Sequence, residues 1–187
     1  MANEKIQNPI LNPKGIDRVI SDIVTKLSNI SWLTKVYQRA WVLRENMTDA
    51  QKFVAKIYLQ NGDYFEPIPQ DNELGVCFTM VTSEEGYGTD PNTDESEPLK
   101  SRNISLLFSV NLKEIDNTKD YVFTEELKEE VEVWLDRVEG LTINSYVDED
   151  YRQVFSGLNI SDFQLMQYPY AAFRFNCTVE YGGNRNC

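Results

Sequence analysis

The chain has 187 residues, 41% of them hydrophobic, and carries 30 acids against 18 bases for a formal net charge of −12. That length suits one domain with a proper core and is short for two. The acidity argues against a conventional DNA-binding surface, which needs Lys and Arg to displace counterions from phosphates, and the absence of histidine excludes Ser-His-Asp and Cys-His nucleophilic systems.

Residues 1–12 read as a loose N-terminal arm, and 183–187 as a C-terminal tail, on either side of one domain over 13–182. Asn12-Pro13 suits an N-cap followed by Pro at the first helical position. Ile16, Val19, Ile20, Ile23, Leu27 and Ile30 then supply the apolar stripe of a first helix. From Trp32 to Leu43 aromatic and β-branched residues alternate with Lys35, Gln38 and Arg39, which predicts a strand broken near its middle. Residues 45–52 are polar and read as a loop. Phe53 to Leu59 is a compact apolar run that leads into Asn61-Gly62, the strongest short hairpin signal, and Tyr64 to Ile68 is the returning arm.

Leu74 to Thr82 and Ile104 to Leu112 read as two strands of a hairpin. Between them, residues 83–102 hold six acids, two Pro and two Gly without apolar periodicity, which predicts a long acidic loop. A turn over 113–119 precedes the clearest amphipathic helix, 123–140, FTEELKEEVEVWLDRVEG. Leu127, Val131, Trp134, Leu135 and Val138 form its oily face, Thr124 is placed to cap it, and Gly140 is placed to end it. A fully buried Trp134 would cost about 3–5 kcal/mol on truncation to Ala. Leu141 to Val147 is a short strand, and residues 148–155 carry a further acid run. Tyr170 to Tyr181 alternates cleanly, with Ala171, Phe173, Phe175, Cys177, Val179 and Tyr181 on one side. Strands outnumber helices and most connections are hairpin-like. The expected class is α+β: an antiparallel or mixed sheet with one or two helices on one face.

The search for chemistry is short. Cys77, Cys177 and Cys187 form no CxxC pair and read as free thiols, Cys77 and Cys177 packed as small hydrophobes. Asp90-Pro-Asn-Thr-Asp94-Glu95 opens like a calcium-binding EF-hand loop, but Glu95 stands where the turn Gly is required and Ser101 where the bidentate Glu should be. Glu125, Glu126, Glu129, Glu130 and Glu132 fit the wet side of a helix. Gly86-Tyr-Gly88 has no helix behind it, so no phosphate-binding loop is present. Trp32, Tyr37, Trp41, Tyr58 and Tyr64 fall in strand-like runs and read as core or subunit interface, not as a base-stacking surface. These readings predict no catalytic residue, no metal and no cofactor, hence no enzyme. The start MANEKIQNPI lacks the apolar region of a signal peptide, which predicts synthesis and retention in the cytoplasm.

Several stretches together resemble a known family. They are the N-terminal helix ending near Ile30-Ser-Trp32, the hairpin around YLQNGDYFEPIPQDNELGVCFTMV (58–81), the strand ISLLFSVNL (104–112) leading into TEELKEEVEVWL, and the closing YPYAAFRFNCTVEY (168–181). This order is similar to the tail terminator or tail completion proteins of tailed bacteriophages, also called head–tail joining proteins. The resemblance implies a virion structural protein that forms a ring of six or twelve copies in the neck. Its neighbours would be the portal or connector and the tail, and DNA would pass through the lumen without specific binding. No catalytic residue is carried over. The insert at 83–102 is long for this family. Acids at 84–97 and 124–139 supply 13 of the 30, so one segment is expected to face the channel and the other solvent or a neighbouring ring. The rival reading is a small-molecule-binding or carboxylate-based enzymatic α+β domain; a third is an adaptor whose 83–102 loop recruits a basic partner.

Overall fold

The computed structural model describes residues 4–47, 50–58, 63–66, 73–82, 84–89, 98–158 and 166–182. Among these residues nine strands form one sheet: β1 (Ile6–Gln7), β2 (Lys35–Met47), β3 (Ala50–Tyr58), β4 (Tyr64–Phe65), β5 (Gly75–Val81), β6 (Gly86–Thr89), β7 (Pro98–Asn111), β8 (Leu141–Val147) and β9 (Tyr170–Gly182). The helices are α1 (Ile16–Leu27), α2 (Leu112–Ile115), α3 (Thr124–Leu135) and α4 (Tyr151–Val154). The path across the sheet is β4-β3-β2-β5-β7-β9-β8, with β1 beside β2 and β6 beside β7. Pairing is antiparallel except that β2 runs parallel to β1 and to β5. The class is α+β.

The centre is the pairing of β7 with β9, unbroken from Leu99↔Gly182 to Asn111↔Tyr170. Alternation sends Ile104, Leu106, Phe108 and Val110 of β7, and Phe173, Phe175 and Cys177 of β9, to one face. There they meet Ile20, Ile23 and Leu27 of α1 and Leu127, Val131 and Leu135 of α3. Phe108 stacks on Phe173 at 4.9 Å, and Trp32 meets both edge-on or tilted. On the opposite face Phe78, Leu107 and Ala172 pack with Val154 and Phe155. The two long helices do share one face as expected, but α4 and Phe155 cover part of the other.

Several boundaries differ from the sequence reading. Residues 1–12 are not wholly a loose arm: β1 pairs with Val36 and Tyr37, and Lys5 donates to the Ile30 carbonyl at 2.7 Å. The first helix starts at Ile16, not Pro13, because Asn12 and Gly15 take left-handed backbone (φ 55 and 56). Trp32 precedes its strand, and β2 carries a register shift between Val36 and Arg39, close to the expected break. Residues 45–47 and 50–52 are strand rather than loop, pairing as Glu45↔Lys52 to Met47↔Ala50. The Asn61-Gly62 turn lies outside the described residues, but β3 and β4 pair antiparallel on either side of it. The 83–102 segment is not all loop either: β6 pairs with Pro98–Ser101 of β7. The turn at 113–119 contains α2, capped by the Asn111 side chain.

The second long helix is shorter than its sequence pattern. Thr124 is buried in its first turn and makes no side-chain cap; Phe123 occupies that position. The helix ends at Leu135 with Asp136 still right-handed. Gly140 instead turns the chain into β8 at φ +75, where an added Cβ would run into the Glu180 backbone carbonyl. Trp134 is only partly buried, with the Arg137 guanidinium 4.3 Å above its ring. Among the described residues no helix is long and apolar enough to cross a membrane.

The fully buried Leu135 thus replaces Trp134 as the anchor of α3. We expect Leu135→Ala to cost about 2–5 kcal/mol in urea unfolding, Trp134→Ala less than that, and exposed Glu129→Gln almost nothing. A larger loss for Trp134→Ala than for Leu135→Ala would contradict this packing.

Candidate assembly surface

Topology leaves one hairpin outside the packed sheet. β2 pairs with β5 as far as Ala40↔Met80. Beyond that point Trp41–Met47 pair with β3 alone among the described residues. Because β2 and β5 are parallel, this hairpin leaves from the same end of the sheet as the β5–β6 edge that runs along β7.

The side chains at its root divide cleanly. Ala40, Ala55 and Ile57 pack on the face opposite α1, with Phe65 stacked on Tyr37 at 5.5 Å. Alternation therefore puts Trp41, Lys56, Tyr58 and Tyr64 on the helix side of the sheet. Register makes them contiguous: Trp41 is opposite Lys56, and Tyr58 is opposite Tyr64 with ring centroids 5.3 Å apart. Among the described residues no helix covers this row, and Trp41, Tyr58 and Tyr64 are each 50% exposed. Arg39 lies 4.0 Å over the Trp41 ring and 3.9 Å from Asp17 of α1, tying the row to the body. Solvent-exposed aromatics beside cations are the composition of a binding surface. The sequence reading gave these aromatics to core or interface; Trp32 and Tyr37 are core, and the other three are at the surface.

The carboxylates singled out on α3 do different jobs. Glu130 accepts the Trp32 indole N–H at 2.8 Å, a bond across the core's rim. Glu126 pairs with Lys119, and Glu125 with Lys128 at 3.1 Å. Hydrogen bonding to Lys119 holds the Glu126 carboxyl below its ordinary range and raises the lysine in turn. Lys128 also sits 4.5 Å over Tyr146, which fixes α3 above the β8 edge of the sheet. Glu129, Asp136 and Glu139 are exposed. The array is an outward acidic face without an acid–base pair aimed at a common point.

A second charged knot was hidden in the supposed loop. Tyr181 and Tyr87 donate to Glu85, the latter at 2.6 Å, and Lys100 and Arg102 lie 3.6 and 3.8 Å away. The hydrogen bonds from Tyr181 and then Tyr87, helped by the two cations, bring the Glu85 carboxyl down to about 2. Burial, with Glu85 second, raises Tyr181. This knot fastens the segment before β6 to β7 and β9. Sequence could not reveal it, since Glu85 and Tyr181 are 96 residues apart.

Among the described residues the remaining sequence candidates gather into no site. Asp90 to Glu97 lies outside the described residues, and Gly86-Tyr87-Gly88 is part of β6. Cys77 and Cys177 are buried free thiols, both pushed up by burial, Cys177 to about 12; Cys187 is outside the described residues. Among the described residues no three His, Cys, Asp or Glu side chains are grouped to hold a metal ion. No protein-family model matches the chain, and no curated protein sequence matches it.

The Glu85 knot has a pH signature. A carboxyl depressed from 4.5 to about 2 contributes stability in full above about pH 4.5, and the contribution is lost as pH falls through 2. We expect Glu85→Gln to lessen the acid dependence of the melting temperature across that window. Superimposable acid limbs for the two proteins would show that the knot adds nothing.

Proposed function

We propose that this chain is a structural protein of a tailed-bacteriophage virion. It forms a ring in the neck that joins the portal or connector to the tail and lets DNA pass. The observation that carries the reading is how the resembling segments lie in space. The helix ending before Trp32, the strand at 75–81, the strand at 98–111, the helix at 124–135 and the closing strand at 170–182 all contribute to one core, with both long helices on the same face. A shared core for those segments in that order is what the resemblance implies.

The electrostatics agree with such a role. A channel that conducts duplex DNA benefits from walls that do not bind phosphate, and the chain carries −12. Of the two acidic segments, the first has Glu85 neutralised within its knot and Glu84 exposed, and α3 sets Glu125, Glu126 and Glu129 outward. The partners in this reading are further copies of the chain, six or twelve to a ring, together with the neck and tail proteins above and below. No cofactor takes part.

The test is native mass spectrometry and negative-stain microscopy of the purified chain, alone and mixed with neck components, with proteomics of the virions. We expect closed rings of six or twelve copies, and the chain present in virions. A monomer absent from virions, above all one holding a tightly bound small molecule, would overturn the proposal in favour of a ligand-binding or enzymatic domain.

A further inference from the structure

The sheet ends at β8, whose far side pairs with no strand among the described residues. Native sheet edges are blunted by charge, proline, bulges or a covering element, because their free N–H and C=O groups invite another strand. β8 is LTINSYV, 7 residues without a charge, a proline or a glycine. α3 lies over one face of it, through Lys128 on Tyr146, and leaves Thr142, Asn144 and Ser145 exposed. Its one blunting device is a bulge at Asn144, between the Ile143↔Cys177 and Ser145↔Asn176 pairs. Asn144 donates to the Thr178 hydroxyl at 2.8 Å, and the Ser145 hydroxyl accepts from Asn176 at 3.0 Å. These bonds hold the edge extended before any partner arrives, which lowers the ordering cost of pairing with it.

Acids stand at both ends of this neutral strand. Asp136 and Glu139 precede it and Glu149 follows it, all exposed and none in an ion pair among the described residues. Glu132 of α3 and Asp148 act on Lys128 beside the same edge. Lys128 is itself taken by Glu125 at 3.1 Å. That leaves Arg137, over the Trp134 ring, and Arg152, beside Tyr151, against Glu132, Asp136, Glu139, Asp148, Glu149 and Asp150. We propose that β8 is the docking edge for an extended segment of another protein with Lys or Arg at its ends, which adds to the sheet as a further strand. This goes beyond the ring reading and does not rest on it. Backbone bonds supply the affinity, and the acids at either end set partner choice. The same acids select against a second copy. Two β8 edges paired antiparallel across a two-fold axis would set Glu139 of one copy against Asp148 and Glu149 of the other. A neutral strand between acids thus rejects its own kind and admits a strand that carries cations.

Fluorescence anisotropy of labelled peptides titrated with the full chain tests this, and hydrogen exchange locates the contact. The probes match the 7 residues of β8: KTVTVTK, its acidic counterpart ETVTVTE, and KTVTVTK N-methylated at every interior residue, which removes the backbone donors. KTVTVTK is expected to bind at low ionic strength, ETVTVTE to bind roughly tenfold or more weakly, and the N-methylated form not to bind. Amides within 141–147 are expected to gain protection when KTVTVTK is bound. The variant Glu139→Lys/Glu149→Lys, checked for fold by thermal melting, is expected to reverse the order of KTVTVTK and ETVTVTE. No binding of KTVTVTK, equal binding of its N-methylated form, or protection at other strands in place of 141–147 would overturn the proposal. Self-association of the wild type that protects 141–147 would assign the edge to a second copy and overturn it too. The mass of the chain alone decides the ring reading separately.

Discussion

The pairing of β7 with β9 is the constraint on which the other contacts depend. It joins residues 99–111 to 170–182, so the final strand must arrive before the central sheet exists. Its alternation supplies Phe108, Phe173 and Phe175, the rings against which α1, α3 and Trp32 pack. One register slip would send those rings to the opposite face and Arg174 into the helix layer. Arg174 is itself a register pin: it donates to Ser105, Asn176 and the Ser156 carbonyl at 2.7, 2.8 and 3.0 Å. Through Ser156 it also ties down the α4 segment that covers the second face.

Much of this frame was legible because burial imposes periodicity. The stripe of α1 and the alternation of β9 are consequences of facing a core, and both can be read directly. The same logic misjudged α3. A stripe drawn on one helix does not say where the neighbouring layer stops, and Trp134 lies at the rim while Leu135 lies beneath the helix. The boundary at Gly140 was misassigned for a related reason. A glycine with positive φ serves equally to end a helix or to let the chain pass close to another strand, and here the strand is β9.

The illegible parts share a physical cause. Strand structure at 45–47 and 50–52 is held by backbone pairing between two strands that outrun their neighbour β5, so nothing demands apolar alternation there. Residues 86–89 form a strand on β7, and the nearby Glu85 depends on Tyr181, a partner that no local window contains. The exposed row is a subtler case. Trp41, Tyr58 and Tyr64 have strand-forming side chains whether they face a core or water. What separates them from Tyr37 is the face they take: Tyr37 turns to the side packed by Phe65 and Ile57, and the row turns to the other, which is a property of the assembled fold.

Net charge sharpens the role of that row. Copies carrying −12 repel one another at long range, and screening confines the repulsion to about 8–10 Å at physiological salt. Association must then be won at contact, where local sign matters more than the total. Around the row the charges are largely met within the chain: Lys35 pairs with Glu73, Arg39 lies beside Asp17, and Asp63 and Glu66 are exposed on either side of β4. What the row offers at contact is therefore chiefly the apolar area of Trp41, Tyr58 and Tyr64.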